Sequence, residues 1–326
     1  MIQPALSRSK TTLNSPGKIN IHLAIGEKRA DGFHALDSII AALGFADSLT
    51  FSFFPENKAE TALIVKKEGP FLELSQKGQY FPPLPAEKNM VFLAVELFRS
   101  KTGLKTTMSI ELVKRIPPGS GLGGSSSNAA STLLTLNNLA KNAGNKLSDN
   151  EILDLASKLG SDVPFFVEIA LNSPKKSPAR VVNGRGEIFR FLPPPNDQGI
   201  LLAFPGFSSH TVKAYQLLDE QRLSDAEKHK KSSLFSTDFS WNSPETWNFS
   251  NDFQSLFINN GTEQEKTSYQ AILSDLKDAG ASFVSLSGSG SACFGIFSSP
   301  KEAEQAGKKL TGSFYVLQST FFLLYN

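Results

Sequence analysis

The sequence has one cysteine, Cys293, and no apolar run close to the ~20 residues that a helix needs to cross a bilayer. A single thiol cannot build a disulfide framework or a cysteine metal site, so both classes are excluded. These absences predict a protein of the reducing cytoplasm that has no membrane partner.

An excess of charge of one sign is also missing. The 326 residues include 33 lysines and arginines and 31 aspartates and glutamates, which gives a net charge of +2. This balance offers no electrostatic case for nucleic acid, so a small-molecule ligand is expected instead. The length allows two domains that share a cleft. A monomer and a homodimer both remain open.

The hydrophobic periodicity predicts an α+β fold in two domains. Strands are expected at 18–25, 48–54, 61–66, 107–114, 200–204, 283–286 and 293–297, and helices at 88–100, 127–140, 151–159 and 268–278. The strands at 48–54 and 61–66 are candidates for a hairpin. A proline-rich, turn-rich stretch after residue 170 predicts an N-terminal domain at 1–168 and a C-terminal domain at 169–326. The polar stretch 222–250 is interpreted as a surface insertion.

A glycine-rich loop is the most informative motif. It consists of Pro117, Pro118, Gly119, Ser120, Gly121, Leu122, Gly123, Gly124, Ser125, Ser126 and Ser127. Glycines let backbone N–H groups approach a ligand, and the helix that follows adds the positive end of its dipole. The loop is therefore predicted to bind nucleotide phosphates, with its serines near phosphate oxygens and a divalent cation. A flexible linker is the alternative, but linkers do not usually lead into an apolar helix.

Two known phosphate-binding motifs do not explain this loop. A Walker loop needs Gly-Lys-Ser/Thr, and no lysine lies between Arg115 and Lys141. Gly119, Gly121 and Gly124 have the dinucleotide spacing, which by itself is weak evidence.

Two charged residues far apart in the sequence are candidates for catalysis. Lys18, Asn20 and His22 alternate with apolar residues in the first strand, so they are expected to share one face. The alternative is the solvent side of an edge strand. Asp162 precedes a proline turn and two phenylalanines, which would give it the partial burial that suits a general base. An ordinary turn aspartate is the alternative there. Lys18 is the natural cation to pair with Asp162.

Two turns are candidate binding elements. Phe33 and His34 project from an Asp-Gly turn, where a ring could stack on a base and an imidazole could bond its edge. Alternatively, Phe33 anchors the turn and His34 is a surface residue. Gly288 and Gly290 lie in a second glycine-rich stretch, which would approach a ligand or form only a tight turn.

These motifs together resemble the GHMP kinases, whose three motifs occur here in order at 16–20, 117–127 and 286–290. The stretches 29–34 and 162–166 are similar to the branch of that family that acts on a cytidine diphosphate sugar alcohol. The resemblance spans nearly the whole chain. It implies a two-domain fold with ATP and the substrate in the cleft between the domains. The implied reaction transfers the γ-phosphate of ATP to the 2-hydroxyl of cytidine diphosphate methylerythritol, in isoprenoid precursor synthesis.

The resemblance also assigns roles by position. Asp162 matches the catalytic base and Lys18 its partner, and the loop at 117–127 matches the site for the ATP phosphates. Ser126 or Ser127 would approach Mg²⁺. The positions implied to bind substrate are Asn20, Phe33, His34, Gly288 and Gly290.

The chain departs from the family at Phe33, where a tyrosine is usual, so stacking on cytosine would persist without the hydroxyl. Phe207 and Tyr215 are candidates for a second stacking aromatic. Another GHMP kinase, for mevalonate or homoserine, is the closest alternative, and Asn20 and the turn at 31–34 argue against it. A catalytically dead nucleotide-binding protein is the other alternative, and the retention of both Lys18 and Asp162 argues against that.

Overall fold

The computed structural model describes residues 9–56, 58–77, 85–141, 145–172, 177–193, 195, 197–224, 241, 244–310 and 314–321. The strands are β1 (Ser9–Lys28), β2 (His34–Phe54), β3 (Thr61–Lys67), β4 (Thr107–Lys114), β5 (Ala179–Gly184), β6 (Ile188–Phe191), β7 (Gly199–Phe204), β8 (Phe283–Leu286), β9 (Cys293–Phe297) and β10 (Tyr315–Ser319). The helices are α1 (Gly69–Gln76), α2 (Met90–Thr102), α3 (Gly124–Lys141), α4 (Asp149–Leu159), α5 (Val163–Leu171), α6 (Thr211–Ser224), α7 (Asp252–Asn260), α8 (Glu263–Asp278) and α9 (Pro300–Lys309). Over these ranges, no helix combines the length and the apolar character needed to span a membrane.

The strands of the described residues form two sheets. The first has the order β3-β4-β2-β5-β6, with β1 paired along β2, and the second has the order β10-β7-β9-β8. The long strand β2 has β1 on one side, and on its other side it pairs first with β5 and then with β4. The α+β class expected from the sequence is therefore confirmed.

The two sheets pack against each other and lie between two layers of helices, because side chains on both faces of the strands are buried. Apolar residues of β4 pack with α2, α3, α4 and α5 in one core cluster. In β7, Ile200, Leu202 and Phe204 face the first sheet, while Leu201 and Ala203 face the helices of the second half. A strand buried on both faces reads as a continuous apolar run, which is how β7 appears in the sequence.

The predicted hairpin of 48–54 with 61–66 is wrong. β3 pairs with β4 in parallel, and β4 separates it from β2. A parallel partner needs a long connection, which α1 and α2 supply between β3 and β4. Sequence proximity alone does not reveal this choice.

Strand pairing also extends the first sheet beyond residue 168. β5 and β6 follow the expected domain boundary, yet β5 pairs with β2 in the first sheet. The chain enters the second sheet only at β7. Within the predicted insertion at 222–250, residues 225–240 and 242–243 lie outside the described ones. Trp241 is buried and packs edge-on against Trp247 and Phe321, so this part of the stretch covers a core cluster.

Candidate active site

A cavity of about 370 Å³ lies between the two halves of the chain. Its wall is formed by both glycine-rich loops, the middle of β1 and the starts of α5 and α6. Of the residues singled out from the sequence, its lining includes Lys18, Asn20, Asp162, Gly288 and all of the loop from Pro117 to Ser126. Its lining does not include Phe33, His34, Ser127 or Gly290.

Lys18 and Asp162 meet at this cavity. Nζ of Lys18 lies 3.4 Å from Oδ2 of Asp162, and the two side chains are 4% and 36% exposed. The ammonium is thus buried while the carboxylate reaches the open space. The structure therefore brings together the two residues that the sequence analysis paired.

The position of Asp162 follows from the start of α5. The proline turn expected after Asp162 is instead the first turn of that helix, with Pro164 inside it, where its missing N–H costs no hydrogen bond. Asp162 occupies the N-cap position, but its side chain caps no backbone N–H. The carboxylate is thus available to Lys18, and the positive end of the helix dipole favours its charge.

Asn20 orients the lysine. Nζ of Lys18 donates to Oδ1 of Asn20 at 2.5 Å, and Nδ2 of Asn20 donates to Oγ of Ser38 at 2.9 Å. Ser38 in turn donates to the carbonyl of His22 at 2.6 Å. This chain of hydrogen bonds fixes the amide with its oxygen toward the ammonium.

The expected shared face of Lys18, Asn20 and His22 is wrong for His22. The register of β1 on β2 shifts between Pro16 and Lys18 and again between Asn20 and His22, and such bulges interrupt strict alternation. His22 is fully buried away from the cavity, and its Nδ1 accepts from the backbone N–H of Ser250 at 3.2 Å. The solvent-edge alternative is also wrong, because Lys18 and Asn20 are each only 3% exposed.

The first glycine-rich loop depends on glycine at defined points. Gly119, Gly121 and Gly123 have φ of +69°, +74° and +67°, the left-handed region that favours glycine. A Cβ on Gly121 would lie 2.0 Å from the carbonyl oxygen of Ser287. A Cβ on Gly123 would lie 3.0 Å from Cγ of Lys18. Side chains are therefore excluded where the loop meets the second loop and the catalytic candidate.

The two glycine-rich loops form one unit. The backbone N–H groups of Ser291 and Ala292 donate to the carbonyls of Gly119 and Ser120, each at 3.0 Å. The hydroxyl of Ser287 donates to the carbonyl of Gly121 at 3.1 Å. Since these bonds join segments from the two halves of the chain, they hold both walls of the cavity in one arrangement.

Gly288 and Gly290 differ in position. A Cβ on Gly288 would lie 3.1 Å from Nζ of Lys18, whereas one on Gly290 would lie 2.8 Å from the hydroxyl oxygen of Tyr269. Gly288 thus lets the loop approach the lysine, while Gly290 packs within the second half. Asn251 holds the loop by donating to the carbonyls of Leu286 and Gly288 at 2.7 and 2.9 Å.

The two serines expected near a cation also differ. Oγ of Ser127 accepts from Oγ of Ser15 at 2.8 Å in the buried interior, whereas Ser126 lines the cavity. In the described part of the chain, no group of three or more His, Cys, Asp or Glu side chains could hold a metal ion. Mg²⁺ commonly binds one or two protein oxygens together with phosphates and water, and the hydroxyl of Ser126 is an oxygen donor of that kind at the cavity.

A buried polar network supports the loop from below. Nζ of Lys114 lies 2.5 Å from Oδ2 of Asp47, and Oδ1 of Asp47 accepts from the backbone N–H groups of Arg115 and Ile116. Asn128 donates to both Asp47 and Ser15. Lys114 also lines the cavity, and the sequence analysis missed it. Its signal was present, because Met108, Ile110 and Leu112 alternate into the core and the next position in that register is a lysine.

The turn at 31–34 lies beside the cavity. The guanidinium of Arg185 covers the ring of Phe33 at 3.8 Å from its centroid, and Phe33 is 47% exposed.

Of the two candidates for a second aromatic that stacks on the base, Tyr215 lines the cavity, whereas Phe207 packs edge-on against Tyr269.

Tyr215 belongs electrostatically to this site. Its burial, and then the negative charge of Asp162, raise the pKa of the phenol well above its ordinary value. The hydroxyl of Tyr215 therefore stays protonated at physiological pH. It offers the cavity an uncharged aromatic ring close to the catalytic candidates.

Comparison with known proteins places these features in a family. Residues 89–168 match the family described as GHMP kinases N terminal domain, and residues 243–316 match GHMP kinases C terminal. A protein of Thermodesulfovibrio yellowstonii is 30% identical over 92% of this chain and 94% of its own, and one of Prochlorococcus marinus is 33% identical over 94% and 91%. Both are named 4-diphosphocytidyl-2-C-methyl-D-erythritol kinase.

Solved structures agree on the fold. A crystal structure of 4-(cytidine 5'-diphospho)-2C-methyl-D-erythritol kinase superposes with a TM-score of 0.65 at 24% identity, over 95% of this chain and 98% of that one. A mevalonate kinase of L. major superposes with a TM-score of 0.62 at 13% identity, over 99% of each chain. At these identities the likeness establishes the architecture alone.

Proposed function

Because the chain belongs to the GHMP kinases, in the family of the 4-diphosphocytidyl-2-C-methyl-D-erythritol kinases, we propose that it phosphorylates the 2-hydroxyl of that compound with ATP. The single observation that carries the proposal is the contact of Lys18 with Asp162 beside the two joined glycine-rich loops. The reaction needs a base for a hydroxyl, a cation near it and a cradle for phosphates, and these three stand around one cavity.

Asp162 is assigned the role of general base. Its carboxylate is 36% exposed, faces the cavity and caps no backbone group, so it can accept the proton of an incoming hydroxyl. Lys18 holds the carboxylate in place and contributes a positive charge beside the phosphoryl group in transit. Asn20 keeps the ammonium in position through the bond described above.

The loop at 117–127 is assigned to the ATP phosphates. Its glycines expose backbone N–H groups at the start of α3, where the helix dipole favours an anion. Mg²⁺ would be held by the phosphate oxygens with Ser126, and when bound it would neutralise phosphate charge. The protein itself aligns the two reactants, which accounts for most of the work in phosphoryl transfer.

The cytidine end is assigned to the side of the cavity formed by α6, beside which the turn at 31–34 lies. Tyr215 lines the cavity there, and the ring of His34, which follows Phe33 in the chain, stacks on it. Gly288 and Asn20 line the same cavity on the side of the lysine.

We also propose a cytoplasmic location, consistent with the single buried thiol of Cys293.

A substrate panel tests the reaction. Purified protein with ATP and Mg²⁺ should release ADP in the presence of 4-diphosphocytidyl-2-C-methyl-D-erythritol, and phosphorus NMR should show a new phosphomonoester on the product. Mevalonate and homoserine, as the acceptors of structurally similar kinases, should give no ADP above background. Turnover of either one without turnover of the cytidine compound would overturn the proposal.

Asp162→Asn tests the base. We expect at least a ~10²-fold fall in kcat, with nucleotide affinity from calorimetry little changed, because only the proton acceptor is lost. Asp154→Asn is the matched control, since Asp154 is an exposed aspartate on the preceding helix. Equal turnover by the two variants would remove Asp162 from the mechanism.

A further inference from the structure

The segment 250–254, which begins α7, is tied to the strand that carries Lys18. The backbone N–H of Leu23 in β1 donates to the carbonyl of Ser250 at 2.9 Å. Leu23 also forms an isolated parallel bridge with Asn251. The segment is therefore fixed to the first half of the chain close to the catalytic lysine.

The side chain of Asn251 connects this segment to the second glycine-rich loop. Its Nδ2 donates to the carbonyls of Leu286 and Gly288 at 2.7 and 2.9 Å, and its Oδ1 accepts from the backbone N–H of Phe253 at 2.9 Å. Gln254 accepts from the backbone N–H of Leu286 at 2.9 Å, so both backbone groups of Leu286 bond to the first turn of α7. Asn251 is 1% exposed, and its amide has one satisfied orientation, because a reversed amide would oppose N–H to N–H.

Gly288 lies between Asn251 and Lys18. A Cβ on Gly288 would lie 3.1 Å from Nζ of Lys18 and 3.4 Å from Oδ1 of Asn20, so the ammonium lies against this residue. The carbonyl of Gly288 bonds instead to Asn251, which does not line the cavity. Because Gly288 is a glycine with φ of +56°, its peptide group could turn with little steric resistance. The bond to Asn251 opposes that turn and keeps the carbonyl away from the ammonium.

The ammonium of Lys18 has three N–H donors. One donates to Oδ1 of Asn20, and Oδ2 of Asp162 lies 3.4 Å from Nζ. The remaining donor is available to a ligand in the cavity that Lys18 lines. A backbone carbonyl turned toward Nζ would compete for that donor and draw the ammonium away from Asp162.

We propose that Asn251 is a positioning residue for phosphoryl transfer. By holding the carbonyl of Gly288, it keeps one N–H of Lys18 free for the phosphoryl group in transit. The inference rests on the proposed function for the identity of that group. Asn251 lies outside the cavity wall, so it acts through Gly288 and Lys18. It therefore influences kcat and not the binding of ATP or of the acceptor.

Two substitutions remove the donors of Asn251 and keep an oxygen that can cap α7. Asn251→Asp preserves the shape of the side chain, and Asn251→Ser caps with a hydroxyl too short to reach both carbonyls. Each should lower kcat at least ~10-fold, because a misplacement of about 1 Å can lower turnover by ~10²-fold. KM for ATP and for the cytidine substrate should stay within about threefold, because the bonds between the two glycine-rich loops remain. Asn251→Ser decides the test if the buried carboxylate of Asn251→Asp prevents folding.

Thr262→Ala is the matched control. Thr262 caps the next helix, α8, by accepting from the backbone N–H of Glu265, and it does not line the cavity. The control should lower the midpoint of thermal unfolding, as the loss of a cap does, and leave kcat unchanged. It thus separates a loss of stability from a loss of positioning.

Lysine NMR tests the positioning without any substrate. Among the described residues, Lys18 and Lys114 are the buried lysines, so ¹⁵N-lysine labelling should separate their protected ammonium groups from the exposed ones. A Lys18→Arg variant assigns the signal of interest. In Asn251→Ser the Nζ signal of Lys18 should move while that of Lys114 stays in place. Neither signal should move in Thr262→Ala.

Three results would overturn the inference. An unchanged kcat in Asn251→Ser removes the positioning role. A lowered kcat with an unmoved Lys18 signal shows that Asn251 does not act through the lysine. An equal fall of kcat in Thr262→Ala assigns the effect to lost stability. Absence of any turnover by the unmodified protein refutes the proposed function instead, and the NMR result still decides whether Asn251 holds the ammonium in place.

Discussion

The junction of the two glycine-rich loops provides the sharpest test of the site. Replacing Gly121 with alanine places a Cβ 2.0 Å from the carbonyl oxygen of Ser287 and 2.8 Å from that of Gly290. Both obstacles are backbone atoms, so no rotamer change relieves the overlap. The loops must move apart by more than an ångström to reach an ordinary contact of 3.4 Å.

That displacement sets the expected magnitude. Gly121 also has φ of +74°, where an alanine costs about 1–2 kcal/mol of unfolding free energy. The movement itself shifts the phosphate cradle relative to Lys18 and Asp162, and a misplacement of about 1 Å can lower turnover by ~10²-fold. Gly121→Ala should therefore lose both stability and activity, with kcat/KM for ATP falling on the order of a hundredfold.

Gly103→Ala separates strain from collision. Gly103 ends α2 with φ of +67°, and a Cβ there meets nothing within 4 Å. The control should lose about 1–2 kcal/mol, as expected for backbone strain alone, and keep full turnover. Urea unfolding, ATP calorimetry and ADP release would be measured on both variants. The reasoning fails if Gly121→Ala loses no more stability than Gly103→Ala and keeps its nucleotide affinity and turnover.

Three further substitutions test the interior. Asp47→Asn leaves the ammonium of Lys114 buried without a counter-charge, so urea unfolding should show a loss of about 3–5 kcal/mol together with weaker ATP binding. Oε2 of Glu168 lies 2.6 Å from Nε of the fully buried Arg180. Glu168→Gln should therefore lower the unfolding free energy by about 3 kcal/mol. Nucleotide affinity should not change, because the pair lies outside the cavity wall. Burial lowers the pKa of His22 in the folded protein below the ordinary value of 6.5. As pH falls below 6.5, the histidine is therefore protonated in the unfolded chain before it is protonated in the folded one. The unfolding free energy should then fall by at most ~1.4 kcal/mol per pH unit. His22→Asn should flatten this dependence.

Each of these has a result that contradicts it. An Asp47→Asn variant as stable as the parent would show that Lys114 finds another partner. A change in ATP affinity on Glu168→Gln would mean that the pair shapes the cavity from a distance. An unaltered slope of stability against pH in His22→Asn would assign that slope to another group.

Strands in which apolar and polar residues alternate regularly were the part of the fold that could be predicted from the sequence. β4 occupies the expected residues 107–114, and β8 and β9 occupy 283–286 and 293–297. In β4 every second side chain is buried, so its period is visible in a short window. α6 was missed, because exposed Val212 and Leu223 lie on the same helix as buried Ala214 and Leu218 and no single apolar stripe results.

Within the site, the sequence by itself determined which chemistry was available. It placed glycines where φ is positive, a lysine in the first strand and an aspartate ahead of α5, and the motifs that carry the family resemblance. All of these are local properties, set by the residue and its immediate neighbours.

Only the tertiary structure decided which of these groups share the cavity. It turned His22 and Ser127 into the interior while Asn20 and Ser126 face the cavity, and it placed Nε2 of His34 against Asp219 of α6. The reason is physical. A bulge, a buried hydrogen bond or an ion pair between distant segments depends on how the whole chain packs. Such a contact therefore produces no periodic pattern in the sequence around either partner.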